Sequence, residues 1–435
     1  MSKTVPIDIQ AFAVTEIRES NTPPTHEGQY KAIAVCWVLG LGTLSAWNSV
    51  VTIGDYYYIL FPKYHPSRVL TLVYQPFALI AMAALAYNEA KINTRKRILA
   101  GYTIFFLGTL MLIVVDLATS GSGGIGPYIG ICAIIGALGV AGAHVEGGIV
   151  GDLSFMCPEF IQIDLLLKSF LSGLAAAGAL TSVMRLITKA LFNKYNNGLR
   201  KGAMLFLSIS TFLQLVCILL YAIYFPILPI VKYYRSKAAS EGSKTVSADL
   251  ATAGIQTNAD IEVQNNAARP QRLSNKQLFK QNLDYGLGLF LTYALTLSIF
   301  PGFLYENTQN HKLGSWYPLV LITVYNAVDL ASRYIPLVKC LTMESRKGLM
   351  TGILLRMLFV PAFYFTAKYG DLGWMMMLTS LLGFSNGYFT VCVMIVAPRG
   401  YQGSEQNALG NFLVLSLFFG VFAGLSINWL WLADW

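Results

Sequence analysis

Charge is scarce in this sequence. Asp, Glu, Lys and Arg make up 12% of its 435 residues, whereas soluble domains run near a quarter. With 55% of the residues hydrophobic, an ordinary soluble protein is excluded and a polytopic α-helical membrane protein is indicated. Histidine is nearly absent: His26, His65, His144 and His311 cannot form the HExxH signature of a zinc protease. No Walker phosphate loop occurs. Asp55 and Asp152 each follow a glycine, but neither stands in the Gly-x-Gly-Asp setting of intramembrane aspartyl proteases. The chain is therefore not read as an enzyme. The six cysteines, Cys36, Cys132, Cys157, Cys217, Cys340 and Cys392, include no CxxC pair and no histidine partner. That leaves no basis for a disulfide frame, a metal or a cofactor. The net charge is +9, but the basic residues lie between apolar runs and not in one patch, which argues against a nucleic-acid partner. No signal peptide precedes the first apolar run. Residues 1–30 are polar, with Pro23 and Pro24, and are expected to be a disordered cytosolic N-terminus.

Apolar runs dominate what is present. About eleven reach the ~20 residues that cross a hydrocarbon core. They cover approximately 32–54, 67–88, 97–117, 126–150, 169–191, 203–229, 285–304, 315–338, 347–367, 372–396 and 407–432. Residues 232–283 form the one long polar stretch and are expected to be a flexible cytosolic linker. The fold class is thus all-α, with a six-helix bundle over 31–231 and a five-helix bundle over 284–435. With the N-terminus inside, the inner segments hold about twenty basic residues, among them Lys91, Arg95, Lys96, Arg97, Lys232, Arg235, Lys237, Arg346 and Lys347. The outer segments hold about seven: Lys63, Arg68, Lys194, Arg200, Lys201, Lys312 and Lys368. This bias sets the N-terminus in the cytosol and the C-terminus outside.

Within the eighth run, Tyr-Asn-Ala-Val-Asp-Leu-Ala-Ser-Arg (325–333) places Asn326, Asp329 and Arg333 three and four residues apart, on one helix face. A charge at the bilayer centre costs about 2.5–3.5 kcal/mol on insertion scales, so these groups are expected to face a bundle interior as the polar floor of a substrate cavity. In the first run, Trp47 beside Asn48 offers a flat aromatic face and an amide, suited either to a heteroaromatic ring or, for the tryptophan, to the interfacial aromatic belt. In the fourth, Gly139, Ala143, Gly147 and Gly151 form a small-residue seam for close helix packing. Beside the seam sit Gly142 and Glu146. Burial disfavours a charged carboxyl. Glu146 is therefore neutral and hydrogen-bonding, paired with a cation, or a group that takes up protons during a cycle. Arg185 in the fifth run, Arg356 in the ninth and Asp152 after the fourth are structural or gating charges, and either arginine could pair with Glu146, Asp152 or Asp329.

Together these residues resemble the equilibrative nucleoside transporter family, and its plant branch in particular. The likeness rests on Trp47-Asn48, on Ala143-His144-Val145-Glu146-Gly147-Gly148 through Gly151-Asp152-Leu153-Ser154, and on Cys157-Pro158-Glu159-Phe160. It continues in Asn326 with Asp329 and Arg333, Arg356-Met-Leu-Phe-Val-Pro361, Ser385-Asn386-Gly387-Tyr388 and Ala397-Pro398. Tyr64-His65-Pro66-Ser67-Arg68 looks specifically plant-like. The resemblance implies a major-facilitator-like fold with one helix fewer, a central nucleoside site and alternating access. It further implies that Leu44 and Trp47 contact the nucleoside, that the position of Glu146 reads the base, that Asp329 and Arg333 lie near the ribose beside Asn326, and that Gly142 keeps one wall thin.

Two departures matter. Ser45-Ala46 replaces the family's Leu-Pro before the tryptophan, and Glu146 replaces a glutamine. A carboxylate only accepts, whereas an amide donates and accepts, so a protonated Glu146 would restore a donor and tie base reading to protons. Residues 163–168 look inserted relative to the family and read as an extended cytosolic turn. A channel is disfavoured because no repeated charge ring or carbonyl filter appears, and a seven-helix receptor by segment count. The expected function is nucleoside transport, of adenosine, uridine and similar substrates, with protons as a candidate second substrate. A facilitator for free nucleobases or another small polar solute is the alternative. The plasma membrane is the expected location, with the vacuolar membrane the second choice.

Overall fold

A computed structural model describes residues 26–64, 66–88, 92–155, 161–192, 198–233, 235–236, 273–300, 316–369, 372–401 and 404–432. Eleven long helices carry the fold. They are α1 (His26–Thr52), α2 (Pro66–Tyr87), α3 (Thr94–Ala118), α4 (Ile125–Phe155), α5 (Ile161–Phe192) and α6 (Gly198–Leu219). After the interval come α7 (Leu283–Ile299), α8 (Tyr317–Tyr334), α9, α10 (Leu372–Val396) and α11 (Ser404–Leu432). The ninth is built from Arg346–Leu355 and Phe359–Tyr369, joined by a 3₁₀ turn at Arg356–Leu358. Among the described residues, nine helices are long and apolar enough to span a bilayer. α7 is apolar but shorter, and α8 is made less apolar by Asn326, Asp329 and Arg333.

Local sequence sets the helix ends. Asn93 caps α3 by accepting the Lys96 backbone N–H at 3.1 Å, and Ser345 caps α9 through Gly348 at 3.3 Å. Pro318 sits in the first turn of α8, where its missing N–H costs nothing. Pro361 has the opposite effect in α9. It cannot donate to the carbonyl four residues back, at Met357, and the helix breaks into the 3₁₀ turn that holds Arg356.

The helices pack through small residues. α1 lies on α5 with Gly40 against the Phe170 backbone and Gly173 against the Trp37 backbone. The α4 seam works as expected: Gly139 meets the Tyr74 backbone of α2, and Gly151 meets Asn407 and Asn411 of α11. α7 packs on α11, and α8 on α10; α5 meets α8, and α11 meets α2 and α4, where the first six helices join the last five. Phe77, Ile80, Leu107, Phe212, Leu358 and Phe365 point outward, an apolar exterior matched to lipid. The described cysteines Cys36, Cys132, Cys217, Cys340 and Cys392 are all free thiols.

Three expectations change. Residues 163–168 are not a turn but the first turns of α5, which starts at Ile161. The end of the expected linker is helical: Asn275–Gln281 carries a Ser274–Gln277 capping box and buries Leu278. The eighth span stops at Tyr334, because Pro336 turns the chain into a 3₁₀ segment. Residues 1–25, 237–272 and the Cys157–Phe160 motif lie outside the described residues, so the disordered N-terminus and most of the linker do too.

Candidate functional site

The helical period of α8 places Asn326, Asp329 and Arg333 on the face turned toward α5 and α10. Asp329 and Arg333 are each 5% exposed. Arg333 donates from Nε to Asp329 Oδ2 at 3.1 Å, and from Nη1 to the Leu171 carbonyl of α5 at 2.8 Å. Asn386 of α10 donates from Nδ2 to the other oxygen, Asp329 Oδ1, at 2.8 Å. Both carboxylate oxygens are thereby held. A side chain at the next residue, Gly387, would strike Ser332 Oγ and the Asp329 carbonyl, so a glycine is what lets α10 come this close. Asn326 donates to Ser182 Oγ of α5 at 2.7 Å, close against Gly178.

The facing wall comes from α1, α2 and α4. Leu44, Trp47 and Asn48 share one face of α1 and are half-buried. Trp47 stacks on Tyr74 of α2, ring centroids 4.1 Å apart and planes 31° off parallel. The Tyr74 hydroxyl fills the space that a side chain at Gly142 would need, 2.6 Å from an ideal Cβ. One turn further along α4 lies Glu146, 6% exposed. Among the described residues no side chain hydrogen-bonds its carboxyl group. The charge of Arg333 acts on it from α8, and its own reaches Tyr74 and Tyr293 of α7. An aromatic face and a carboxyl on one side thus oppose a fixed carboxylate and guanidinium on the other. Such an arrangement offers an aromatic face, hydrogen-bonding groups and fixed charges around one space, and among the described residues it contains no nucleophile–base pair.

Comparison with known proteins identifies the family. A family model described as "Nucleoside transporter" matches residues 132–433. Equilibrative nucleotide transporter 3 of Arabidopsis thaliana is 61% identical over 95% of this chain and 98% of its own length. The chain belongs to the equilibrative nucleoside transporter family. Equilibrative nucleotide transporter 5 of the same plant is 60% identical over 95% of this transporter and 97% of its own length. Among solved structures, the proton:xylose symporter XylE superposes with a TM-score of 0.62 at 12% identity, covering 94% of this chain and 90% of its own. A bacterial homologue of ferroportin in an outward-facing state gives 0.54 at 16% identity, covering 92% of each chain. The fold is that of the major facilitators, and the protein is a multi-pass membrane transporter of nucleosides, not an enzyme.

The expected Asp329–Arg333 pair forms, whereas Arg185 and Arg356 do not take the acids expected of them. Asp152 is held by Arg235 and by the Tyr221 hydroxyl, and Asp329 by Arg333, not by Arg185 or Arg356. Arg185 is half-buried on α5. Arg356 donates to the Thr292 carbonyl at 3.0 Å, to Thr296 Oγ1 at 2.7 Å and to Ser385 Oγ at 2.9 Å.

Beside the Asn326–Ser182 bond at mid-span and the Arg333–Leu171 bond of the site, further bonds between the first six and last five helices gather at one end, where α1, α3, α5 and α11 begin and α8 finishes. Lys168 Nζ donates to the Pro336 carbonyl at 2.8 Å, and Trp37 Nε1 to the Tyr334 hydroxyl at 3.0 Å. Arg97 bridges the Ala143 carbonyl at 3.0 Å and Asn411 Oδ1 at 2.7 Å. Near the other end, Asp116 takes Arg200 at 2.9 Å and the hydroxyl of Tyr56, which lies in the short helix Gly54–Leu60 between α1 and α2, all on the side of the first six helices.

Tyr74, Tyr293, Thr296, Asn386 and Lys168 escaped the reading of the sequence. Asn386 lies in a motif that carried the family likeness but suggested no role. The others had no local signal.

Proposed function

We propose that this transporter carries both purine and pyrimidine nucleosides, adenosine and uridine among them, inward across the plasma membrane by alternating access coupled to protons. The observation that carries the reading is the opposition of Trp47, Tyr74 and Glu146 to Asp329 and Arg333 across the junction of the two helix groups. The base stacks on Trp47 and bonds Glu146, while the ribose meets the Asp329–Arg333 pair, with Leu44, Asn48, Gly142 and Asn326 completing the walls. The Lys and Arg bias sets the N-terminus in the cytosol. The bonded end is then cytosolic, which makes this an outward-facing arrangement with its inner side shut. Substrate entry, closure outside and rupture of the Lys168, Trp37 and Arg97 bonds complete a cycle of two rocking bundles.

Protons enter through Glu146. It is faced by Tyr74 from α2, Tyr293 from α7 and Arg333 from α8, with Arg97 of α3 beside His144 on its own helix. With no side-chain hydrogen bond to hold it, its carboxyl can donate to a base when protonated and accept when ionised. Uptake of radiolabelled adenosine and uridine by transporter-deficient cells tests the reading, with external pH varied from acid to neutral, with and without an uncoupler. Uptake of both that rises in acid and collapses with uncoupler is expected. A flat, uncoupler-resistant profile makes the transporter a passive facilitator. Uptake of free nucleobases in place of nucleosides overturns the substrate assignment.

A further inference from the structure

We propose that Arg356, Thr296 and Asn386 form a one-way hydrogen-bond relay that sets the Asp329 carboxylate for the sugar hydroxyls of the substrate. The relay rests on the reading of Asp329 and Arg333 as the sugar site and adds three positioning residues, from α9, α7 and α10, that need not touch the substrate.

The polarity of the chain follows from what each group can do. A guanidinium only donates and an ionised carboxylate only accepts. Asn386 lies 2.8 Å from Asp329 Oδ1, so its NH2 group must face the carboxylate and its carbonyl must face away. That carbonyl meets Thr296 Oγ1 at 3.0 Å and requires a donor there. Thr296 has one hydroxyl hydrogen and two acceptors within reach, Asn386 Oδ1 and the Thr292 carbonyl at 2.8 Å. Arg356 decides between them. Its Nη2 donates to Thr296 Oγ1 at 2.7 Å, which turns the hydroxyl hydrogen away from the guanidinium. Its Nη1 donates to the Thr292 carbonyl at 3.0 Å, leaving the Asn386 carbonyl the less contested acceptor. Every link from Arg356 to Asp329 then points one way, and neither end can reverse.

The burial of Arg356 is otherwise hard to account for. It is 3% exposed, and among the described residues no carboxylate lies within 4 Å of it. A buried cation supported only by neutral acceptors is costly. Asp329 lies within its electrostatic reach, and the relay delivers its polarity to that carboxylate. With Asn386 on one oxygen and Arg333 on the other, Asp329 cannot rotate, and its remaining lone pairs keep one direction in which to accept a sugar hydroxyl. Without the relay the Asn386 amide loses its preferred sense and the carboxylate its fixed pose.

The test uses the full-length transporter in transporter-deficient cells, with uptake normalised to surface amount. It compares KM for uridine with KM for dideoxyuridine, which lacks the two ring hydroxyls. Thr296→Val keeps the shape and removes the hydroxyl; Thr296→Ser restores it. In Thr296→Val the preference for uridine over dideoxyuridine is expected to fall about tenfold, the scale of one hydrogen bond to a charged group. The loss should arise from the uridine KM, and Thr296→Ser should recover most of it. Equal weakening of both nucleosides, an unchanged preference, or failure of the serine variant to recover overturns the relay. If Thr296→Val does not reach the surface, Asn386→Ser is read in the same way. Asp329→Asn separates this proposal from the reading beneath it. A preference lost in Asp329→Asn but kept in Thr296→Val removes the relay alone, whereas a preference kept in Asp329→Asn removes the sugar site and the relay with it.

Discussion

Glu146 and Asp329 are both carboxyl groups buried in membrane-spanning helices, and the same guanidinium, Arg333, acts on both. Their surroundings are opposites. Asp329 has a donor on each oxygen, drawn from its own helix and from α10, and a third helix, α7, braces that donor through Thr296. Glu146 has aromatic neighbours and a distant charge but no side-chain hydrogen bond among the described residues. A carboxylate bonded at both oxygens is a fixed reference point, suited to a part of the substrate common to all nucleosides. A carboxyl left unbonded can change its proton and its role, which in the proposed site suits the part that varies, the base. On the proposed function, the two halves of the fold thus divide constancy from adaptability.

Breaking the fixed side should do most harm. Removing one partner of a buried pair costs about 3–5 kcal/mol, so Arg333→Ala should lower uptake about a hundredfold or more, measured per molecule at the surface. Arg333→Lys should not rescue it, because an ammonium cannot reproduce the planar fork that bonds Asp329 and the Leu171 carbonyl together. Normal uptake by Arg333→Ala would remove the central site from this part of the molecule.

The adaptable side should give way more gently. Glu146→Gln keeps a donor and an acceptor, and its uptake should stay within about threefold of the parent while the response to external acid disappears. Glu146→Leu should lose about tenfold at every pH, since the base then has no partner. A glutamine variant with the parent's pH profile would place the proton elsewhere. A still smaller effect sharpens the contrast: Gly142→Ala sets a methyl group against the Tyr74 hydroxyl and displaces the ring from Trp47. Overpacking of this kind should raise KM about fivefold for adenosine and uridine alike, read from saturation curves.

Much of this was legible in the sequence, for definite reasons. Apolar runs near the width of a bilayer report spans directly, and an acid and a base one turn apart report a shared face. The start of α5 was missed because polar residues such as Gln162, Asp164 and Lys168 end the hydropathy signal, while a helix leaving the membrane needs no apolar continuity. The Glu146–Arg333 opposition and the Thr296–Asn386 contact join helices far apart in the chain, and no local period records them. The sequence displays charge and so points Arg356 toward acids; in the fold it bonds a main-chain carbonyl and two hydroxyls.

Main-chain acceptors recur at the junction of the two bundles. Lys168 grips the carbonyl of Pro336, and Arg333 that of Leu171. Because every residue has a carbonyl, the grip itself does not depend on the side chain of the gripped residue. Each clasp can therefore be removed by mutating its donor, whereas a change at Pro336 or Leu171 acts through the backbone turn or the packing there and leaves a carbonyl to be gripped. A genetic screen for variants that leak open at this junction should find its hits on the donors, and compensating changes should gather around them.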